Sequence, residues 1–292
     1  MGTKNSHPKF LKGKPLADEI KASVSLAASK WNSRGIQPRM AVVAATDDPA
    51  VEQYQRAKRK NAEKLGIDMR LISLGVECTQ DELENRLEEL SNDKEVNGIL
   101  LSLPLAPHLH TESALARISA QKDVDGLTVT NLGLMLAGRE DDAIVAATPK
   151  ACVMLAESAV SLRGKRVVVV GRGRTVGKVL IPLLINRDAT VTVCHSRTEH
   201  LADTVKEHDV VFVAVGKARL IGTEHLRAGQ VVIDAGINVV EEGVIGDVDT
   251  HAVLDTVSKI TPVPGGVGPL TSSLVFQNLI RAMEFQWDGA GE

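Results

Sequence analysis

The sequence predicts an α/β protein of two domains, each built on a parallel sheet. Short apolar runs alternate with segments of helical period along almost the whole chain, and this alternation is typical of strand–helix–strand units. A valine-rich run in the second half is followed by a glycine-rich turn and then by a helical segment, as in nucleotide-binding sheets. The chain has 292 residues, which suffices for two cores, and we place the boundary near 145–150.

Three apolar runs in the first half are predicted to be buried strands: MAVVAA (40–45), MRLISLGV (69–76) and VNGILLSLPL (96–105). Helices are predicted between them over 50–65 and 79–92. The second helix has Thr79 as its N-cap and acidic residues in its first turn, and both features stabilise a helix N-terminus. Strand, helix and strand at this spacing predict a parallel sheet in the first domain.

The second half repeats the alternation, with strands predicted at 165–170, 189–196, 209–216 and 229–237. Near the C-terminus, the proline- and glycine-rich segment TPVPGGVGPLT (261–271) comes before a final helix. Pro269 suits the first turn of that helix because proline has no backbone N–H to leave unpaired there. The second domain is therefore predicted to be a Rossmann-type sheet that ends in a rigid loop and a helix.

Composition and charge exclude several classes of protein. The net charge is -3 and the pI is about 6.3, so no global field favours nucleic acid or an anionic membrane. No apolar run reaches the roughly 18–20 residues that span a bilayer, and the N-terminus lacks the apolar core of a secretory signal. Cys78, Cys152 and Cys194 lie far apart without a CxxC motif, which disfavours disulfides and zinc. We predict a cytoplasmic protein with no nucleic-acid, membrane or metal partner.

The glycine turn is the candidate cofactor site. Gly171, Gly173 and Gly177 follow the valine-rich strand in the spacing GxGxxxG, close to the GxGxxG pattern whose glycines bring the backbone near a pyrophosphate. Thr175 and Val176 lie in the same turn and belong to the predicted site. A glycine-rich turn that binds no ligand is the alternative interpretation.

The end of the next strand predicts which cofactor is bound. An NAD site places Asp or Glu there for the ribose 2′-hydroxyl, whereas this strand runs into His195, Ser196 and Arg197 with no acid before Glu199. A hydroxyl and a guanidinium suit a 2′-phosphate, and Arg172 in the glycine turn supplies a second cation. We therefore predict NADP rather than NAD, with His195 as a wall of the site. The alternative is that Arg197 is an ordinary surface residue.

Tyr54 and Lys58 are the candidate catalytic pair in the first half. Tyr54 is the only tyrosine in the chain. In the helix predicted over 50–65 it lies four residues before Lys58 and on the same face. The alternative is a solvated helix face with an exposed lysine.

Two further segments bring polar or glycine-rich backbone to the expected site. QKDVDGL (121–127) follows a strand, and the carboxyl ends of parallel strands are where α/β proteins build their sites. We expect Asp125 to meet ligand and Asp123 to hold the turn at Gly126; a simple Asp-Gly turn is the alternative. Pro264, Gly265 and Gly266 form a rigid loop that we expect to line the pocket of a flat ligand.

Together these segments resemble the methylenetetrahydrofolate dehydrogenase/methenyltetrahydrofolate cyclohydrolase family. The matching segments are DPAVEQYQRAKRKNAEKLGI, KDVDGL, GKRVVVVGRGRTVGK, ATVTVCHSRT, VVIDAGIN, IGDVD and TPVPGGVGPLT. They occur in the family's order and extend over roughly residues 10–285. The last segment is especially specific to the family.

The resemblance implies two activities in one pocket, placed in a cleft between the domains. Hydride passes from 5,10-methylenetetrahydrofolate to NADP⁺, and water then opens the methenyl product to 10-formyltetrahydrofolate. By this resemblance Tyr54 orients the folate, Lys58 acts in proton transfer, and Asp125 with Gly126 binds the pterin. Further cofactor contacts implied in the same way are Ala214, Val215, Gly216 and Ile237.

The resemblance also implies a domain layout and an assembly. A folate-binding catalytic domain over 1–147 is completed by the C-terminal helix 270–292, and a Rossmann NADP-binding domain covers 148–269. The family forms homodimers and belongs to one-carbon metabolism, which supplies purine biosynthesis.

Two departures from the family pattern affect the surroundings of Lys58. A glutamine that orients the lysine in the family motif VQLPLP is Ser102 here, and a serine before the tyrosine is Val51. Our hypothesis is a divergent member that is a dehydrogenase with a weakened or altered cyclohydrolase activity, in which Ser102 belongs to the catalytic group. The alternatives are an NADP-dependent reductase of another small substrate and a non-catalytic paralogue that binds folate or nucleotide.

Overall fold

The computed structural model describes residues 7–47, 49–241 and 243–288, with the side chains of 49–54, 56–57 and 288 outside that description. The chain divides into two compact units. The N-terminal unit comprises residues 18–147 and 272–288, and the C-terminal unit comprises residues 7–17 and 148–271.

The elements follow one another as the sequence predicts, with helices between strands. The helices are α1 (Lys14–Ser33), α2 (Pro49–Lys64), α3 (Gln80–Asn92), α4 (Thr111–Leu115), α5 (Val129–Leu136), α6 (Ala147–Glu157), α7 (Gly177–Ile185), α8 (Leu201–Lys206), α9 (Thr250–Val253) and α10 (Val267–Asp288). The strands are β1 (Arg39–Ala44), β2 (Asp68–Ser73), β3 (Gly98–Leu101), β4 (Arg166–Val170), β5 (Thr190–Cys194), β6 (Val210–Val213), β7 (Val231–Asp234), β8 (Asn238–Val240), β9 (Gly243–Ile245) and β10 (Lys259–Ile260). Within the described ranges, none of the helices combines the length and apolarity needed to cross a bilayer.

The N-terminal sheet has the order β2-β1-β3, with all strands parallel. β1 is its central strand and is buried along nearly its whole length, as its uninterrupted apolar run predicts. Beyond β3, the backbone N–H of Ser102 donates to the carbonyl of Val43 at 2.8 Å. The segment 122–124 pairs in parallel with Ile99 of β3. Ser102 and Asp125 therefore follow neighbouring extended segments at the carboxyl edge of this sheet.

Helix α10 packs on the N-terminal sheet. The side-chain amide of Asn278 donates to the carbonyls of Val124 and Val145, both at 2.9 Å. A Cβ placed on Gly98 of β3 would lie 2.6 Å from Leu279, so glycine lets the helix approach the strand closely. α10 thereby holds the residue immediately before Asp125 and links it to the backbone at Val145.

The C-terminal sheet is the predicted Rossmann-type sheet. Its five strands have the order β10-β7-β6-β4-β5 and are all parallel. β4, β6 and β7 are buried on both faces, with valine dominating, as expected for strands covered by helices on both sides.

The N-terminal segment belongs to the C-terminal unit, which differs from the predicted layout of residues 1–147 as one domain. Phe10 forms a parallel bridge with Ile260 of β10, and Leu11 N–H donates to Ile260 at 2.8 Å. The Lys9 ammonium donates to the carbonyls of Leu254 and Asp255 at 2.8 and 3.0 Å. Edge pairing with a strand 250 residues later cannot be read from local pattern, which is why the prediction missed it.

Local signals predicted several element ends correctly, while strand lengths were overestimated. Thr79 caps α3 through a complete capping box with Glu82, and Pro269 is the third residue of α10, as predicted. The strand predicted at 69–76 ends at Ser73, before Gly75 with φ of 78°. The strand predicted at 209–216 ends at Val213, before Gly216 with φ of 65°. Left-handed glycines end the ladders although the apolar pattern continues.

Candidate functional site

Two of the three turn glycines are required by the fold, and the third faces open space. Gly171, at the end of β4, has φ of 116°, and a Cβ there would lie 2.1 Å from the Ala214 carbonyl oxygen. A Cβ on Gly177, the first residue of α7, would lie 2.2 Å from the Gly171 carbonyl oxygen. A Cβ on Gly173 would meet no heavy atom within 4 Å. The turn therefore brings bare backbone to the start of α7, the arrangement that suits a pyrophosphate.

The turn after β5 lies beside the glycine turn. Gly171 N–H donates to the Cys194 carbonyl at 2.8 Å. The backbone N–H of His195 donates to Thr198 Oγ1 at 2.8 Å, and the Arg197 N–H donates to His195 Nδ1 at 3.2 Å. The imidazole thus orders its own turn, and His195 remains half-buried next to Ser196 and Arg197, which are exposed.

The predicted phosphate-binding side chains are accessible to a ligand. Arg172 and Thr175 of the glycine turn are exposed, and Val176 is half-buried. Arg174, which sequence analysis did not single out, is also half-buried, and burial lowers its pKa. A guanidinium remains charged under all ordinary conditions, so this cation adds to the positive charge of the turn. Its sequence signal was a second arginine in the glycine turn, two positions after Arg172.

Asp247 joins the two loops that follow β6 and β7. This carboxylate is fully buried. Its Oδ2 accepts from the backbone N–H groups of Val215 and Gly216 at 2.7 and 2.9 Å, and its Oδ1 accepts from the Asn238 amide at 2.9 Å. Sequence analysis missed this residue, although an acid inside the apolar segment VIGDV is an unusual signal.

Asp247 is itself held by a second buried carboxylate, Asp234, at the end of β7. Asp234 accepts from the backbone N–H groups of Gly236, Asp247 and Val248 at 2.9 to 3.1 Å. Burial raises the pKa of Asp234 to about 7; the charge of Asp247 adds to that rise and the three N–H groups oppose it. Two linked carboxylates therefore hold the backbone of the predicted cofactor residues Val215 and Gly216, and the N–H of Ala214, also predicted, donates to the Val170 carbonyl of β4. Ile237, also predicted, is 67% exposed on the neighbouring loop.

Lys58 is buried, with 7% of its surface exposed, so it is not the solvated lysine of the alternative interpretation. It lies on α2 together with Gln55, which is 3% exposed. Gln55 Nε2 donates to Ser102 Oγ at 3.1 Å. The side chains of Tyr54 and Val51 lie outside the described residues, so Lys58 is the one member of the predicted Tyr54–Lys58 pair whose side chain is described.

Asp125 lies in the electrostatic field of Lys58. Burial raises the pKa of Asp125 to about 6; the charge of Asp123 adds to the rise and the charge of Lys58 opposes it. The residue as a whole is half-buried. Two groups 67 residues apart in the sequence are thus close enough in the N-terminal unit for the charge of Lys58 to favour the ionised form of Asp125.

Asp123 holds the turn that presents Asp125, as predicted. It is buried and accepts from the backbone N–H groups of Gly126 and Thr128 at 2.9 and 2.7 Å, and from the Asn131 amide at 3.2 Å. Burial raises the pKa of Asp123, and these donors oppose the rise. Gly126 has φ of 68°, and a Cβ on it would lie 2.4 Å from the Ile144 carbonyl oxygen. The Asp-Gly turn is therefore real, and it also fixes Asp125.

The loop with Pro264, Gly265 and Gly266 lies in the C-terminal unit. Gly265 accepts from the Gly13 N–H at 3.0 Å, and Gly266 N–H donates to the Pro262 carbonyl at 2.8 Å. Pro264 is exposed and Gly265 partly so. In the part of the chain that the structure describes, no three His, Cys, Asp or Glu side chains are grouped to hold a metal ion.

The geometry defines a two-domain α/β protein with a dinucleotide-binding sheet in one unit and a buried lysine near a carboxylate in the other. Comparison with known families makes this class specific. The chain belongs to the tetrahydrofolate dehydrogenase/cyclohydrolase family: the model of the family's catalytic domain matches residues 11–125, and the model of its NAD(P)-binding domain matches residues 146–287.

Individual relatives match almost the whole chain. The bifunctional protein FolD of Deinococcus radiodurans is 46% identical over 281 residues, which cover 94% of this chain and 93% of the relative. The crystal structure of the bifunctional FolD methylenetetrahydrofolate dehydrogenase/cyclohydrolase of Campylobacter jejuni is 35% identical with a TM-score of 0.91, over 95% of this chain and 99% of that one. The structure of the Trypanosoma brucei dehydrogenase-cyclohydrolase, solved with NADP and an inhibitor, is 33% identical with a TM-score of 0.89. The match covers 95% of this chain and 98% of that one.

Proposed function

We propose that the protein oxidises 5,10-methylenetetrahydrofolate with NADP⁺ and hydrolyses the resulting 5,10-methenyltetrahydrofolate to 10-formyltetrahydrofolate. The observation that carries the proposal is the burial of Lys58 within the field of Asp125, in a chain that matches both domains of the family. A buried lysine is rare without a specific role or partner. The relatives do not favour a reductase of another substrate or a non-catalytic paralogue.

The residues of the C-terminal unit fit a dinucleotide with a 2′-phosphate. Gly171, Gly173 and Gly177 supply backbone for the pyrophosphate, and the exposed Ser196, Arg197 and Arg172 supply a hydroxyl and cations for the 2′-phosphate. When bound, NADP⁺ provides the acceptor for the hydride of the methylene carbon. The protein's own task in that step is to hold and orient, since hydride transfer requires no protein acid.

Asp125 binds the pterin in this proposal. With a pKa of about 6, its carboxyl group is mostly ionised at pH 7 and accepts hydrogen bonds from pterin N–H groups. Tyr54 orients the same ring by contact with its face.

Lys58 acts in the hydrolytic step. Water forms a bond from its oxygen to the methenyl carbon, and Lys58 takes a proton from that water. The hydroxyl group of this adduct then loses its proton and becomes the formyl C=O as the bond from the carbon to N5 breaks; N5 takes one proton, and the formyl group stays on N10. One proton is released overall, which balances the charge lost by the methenyl cation. Proton transfer by a positioned side chain typically contributes about 10²–10⁴-fold to a rate.

The assembly and setting are part of the same proposal. We place the protein in the cytoplasm as a homodimer whose product enters one-carbon metabolism and purine biosynthesis. The family membership and the absence of CxxC motifs support this setting, and sedimentation of the purified chain tests the dimer.

Two assays test the function separately. The first follows NADP⁺ reduction with 5,10-methylenetetrahydrofolate, and the second follows loss of methenyl absorbance without cofactor. We expect both activities, and we expect Lys58→Met to reduce the second assay by at least about 100-fold. Lys60→Met, an exposed lysine on the same helix, is the control. Absence of NADP⁺ reduction in the wild-type chain would refute the proposed function.

A further inference from the structure

Gln55 is a buried polar side chain with one amide atom satisfied and the other not. It is 3% exposed, and its Nε2 donates to Ser102 Oγ at 3.1 Å. Its Oε1 is buried and has no hydrogen-bond partner among the described residues. Nearly all buried polar atoms in folded proteins are paired, so an unpaired carbonyl oxygen beside a candidate site requires an explanation. A leucine of similar size would fill this space without leaving an unpaired acceptor.

The position of Gln55 relative to Lys58 supplies that explanation. The two residues are three positions apart on α2, so their side chains leave the same face of the helix with Cβ atoms about 5–6 Å apart. Both are buried, and Ser102 is buried with them. An ammonium has three N–H donors and no acceptor, so a buried lysine that takes up a proton needs acceptors nearby.

Ser102 fixes the orientation of the Gln55 amide. The serine follows β3, and its backbone N–H donates to Val43 of β1, so its hydroxyl oxygen is held at the edge of the sheet. Because the nitrogen and oxygen of an amide share one planar carbon, anchoring Nε2 on this oxygen also fixes Oε1. The family pattern has a longer glutamine where this chain has Ser102. Here the amide group comes from Gln55 of α2 instead.

We infer that Gln55 is a positioning residue for Lys58, with its Nε2 anchored on Ser102 and its Oε1 accepting a hydrogen bond from the ammonium that forms when Lys58 takes a proton from the attacking water. This inference rests on the proposed function and concerns its hydrolytic step. It replaces the expectation that Ser102 weakens the cyclohydrolase, because the orienting amide is supplied by a different element.

Substitution of Gln55 separates positioning from substrate binding. Gln55→Leu keeps the approximate size and removes both amide atoms. We expect kcat for methenyl hydrolysis to fall about 10- to 100-fold, as for the loss of one hydrogen bond to a charged group. The KM for methenyltetrahydrofolate should stay within about threefold, because Gln55 acts on Lys58 and not on the folate. Asn61→Leu, an exposed amide on the same helix, is the matched control and should leave both constants unchanged.

Exchanging Gln55 and Ser102 tests whether the lost hydrolytic activity can be rescued. Gln55→Ser alone and Ser102→Gln alone should each lower the hydrolytic kcat, whereas the double variant restores the pair with the amide on the other element. We expect the double variant to recover at least about tenfold of the activity that Gln55→Ser loses. Thermal unfolding and NADP⁺ reduction of each variant serve as measures of folding.

The outcomes distinguish this inference from the proposed function. A wild-type chain without methenyl hydrolysis contradicts the proposed hydrolytic step and, with it, the role of Gln55. Active wild-type protein with an unchanged kcat in Gln55→Leu overturns only the inference, as does a rise in KM with no fall in kcat. If Gln55→Leu fails to fold, the folded exchange variant decides: recovery above Gln55→Ser supports positioning, and no recovery overturns it.

Discussion

The peptide N–H of Asp247 donates to the carboxylate of Asp234 at 3.1 Å, so that one buried carboxylate holds the backbone that carries another. Asp247 in turn accepts from Val215 and Gly216. The predicted cofactor loop after β6 therefore depends on acids contributed by two other segments. Loops that form a site are usually positioned by such supporting hydrogen bonds, whose loss shifts the site without unfolding the protein.

Replacing Asp247 by asparagine tests this scaffold. Asparagine has a single acceptor oxygen, and its NH₂ group must face another N–H donor, so at least one of the three hydrogen bonds to Asp247 is lost. We expect the KM for NADP⁺ to rise by about 10-fold or more, which corresponds to about 1.5–3 kcal/mol. Asp255→Asn, an exposed acid in the same unit, is the control. Unchanged cofactor kinetics in Asp247→Asn would argue against the scaffold.

Asp125 makes stability depend on pH in a defined direction. Its pKa is about 6 against an ordinary value of 3.8, so the folded chain holds the proton more tightly than the unfolded chain. This tighter proton binding stabilises the folded state. The stabilisation is fully present below about pH 4 and is lost as pH rises through 6. Asp125→Asn removes the dependence. We expect the stability of this variant relative to wild type to increase from pH 4 to pH 7, on the order of 1–3 kcal/mol.

Denaturant unfolding at the two pH values measures this difference. The exposed Asp18→Asn variant should show a difference from wild type that is the same at both. A pH-independent difference for Asp125→Asn would show that the carboxyl group is not stabilised in its protonated form. Activity should fall in the same variant at pH 7, since an amide cannot replace the carboxylate at the pterin.

Alanine substitutions at two of the turn glycines should distinguish a glycine that the fold requires from one that the cofactor requires. Gly171→Ala introduces a methyl group 2.1 Å from the Ala214 carbonyl oxygen at φ of 116°, so we expect a loss of stability of at least about 2–3 kcal/mol. Gly173→Ala meets no protein atom and should leave the midpoint of thermal unfolding unchanged. Its KM for NADP⁺ should nevertheless rise by about tenfold if the dinucleotide approaches this backbone. Equal cofactor kinetics in Gly173→Ala and wild type would place the dinucleotide elsewhere.

Cofactor preference should depend on Arg197. Removing its guanidinium in Arg197→Ala eliminates a charge-assisted contact to a 2′-phosphate, which NAD⁺ lacks. We expect kcat/KM for NADP⁺ to fall about 10- to 100-fold while that for NAD⁺ changes by less than about threefold. Arg163→Ala, an exposed arginine in the same unit, should change neither. A parallel fall for both cofactors would mean that Arg197 does not contact the phosphate.

Much of the fold and of the candidate cofactor site was predictable because the signals are local. The GxGxxxG turn, the absence of an acid before Glu199 and the capping box at Thr79 each lie within a few residues, and the backbone requirements of glycine and of helix ends act over that range. Gln55 illustrates the limit. It reads as one more polar residue in QYQRAKRK, and only its hydrogen bond to a serine 47 positions away makes it a candidate for a role.

By itself, the sequence determined the α/β class, the order of strands and helices, the glycine turn and the family, since periodicity and short motifs depend on neighbouring residues. The tertiary structure alone decided which distant groups meet: Lys58 with Asp125, Gln55 with Ser102, Asp247 with the loop after β6, and residues 7–17 with β10. The physical reason is that burial and hydrogen-bond partners are properties of the packed chain. The same side chain is an ordinary polar residue in water and a functional group inside a low-dielectric site.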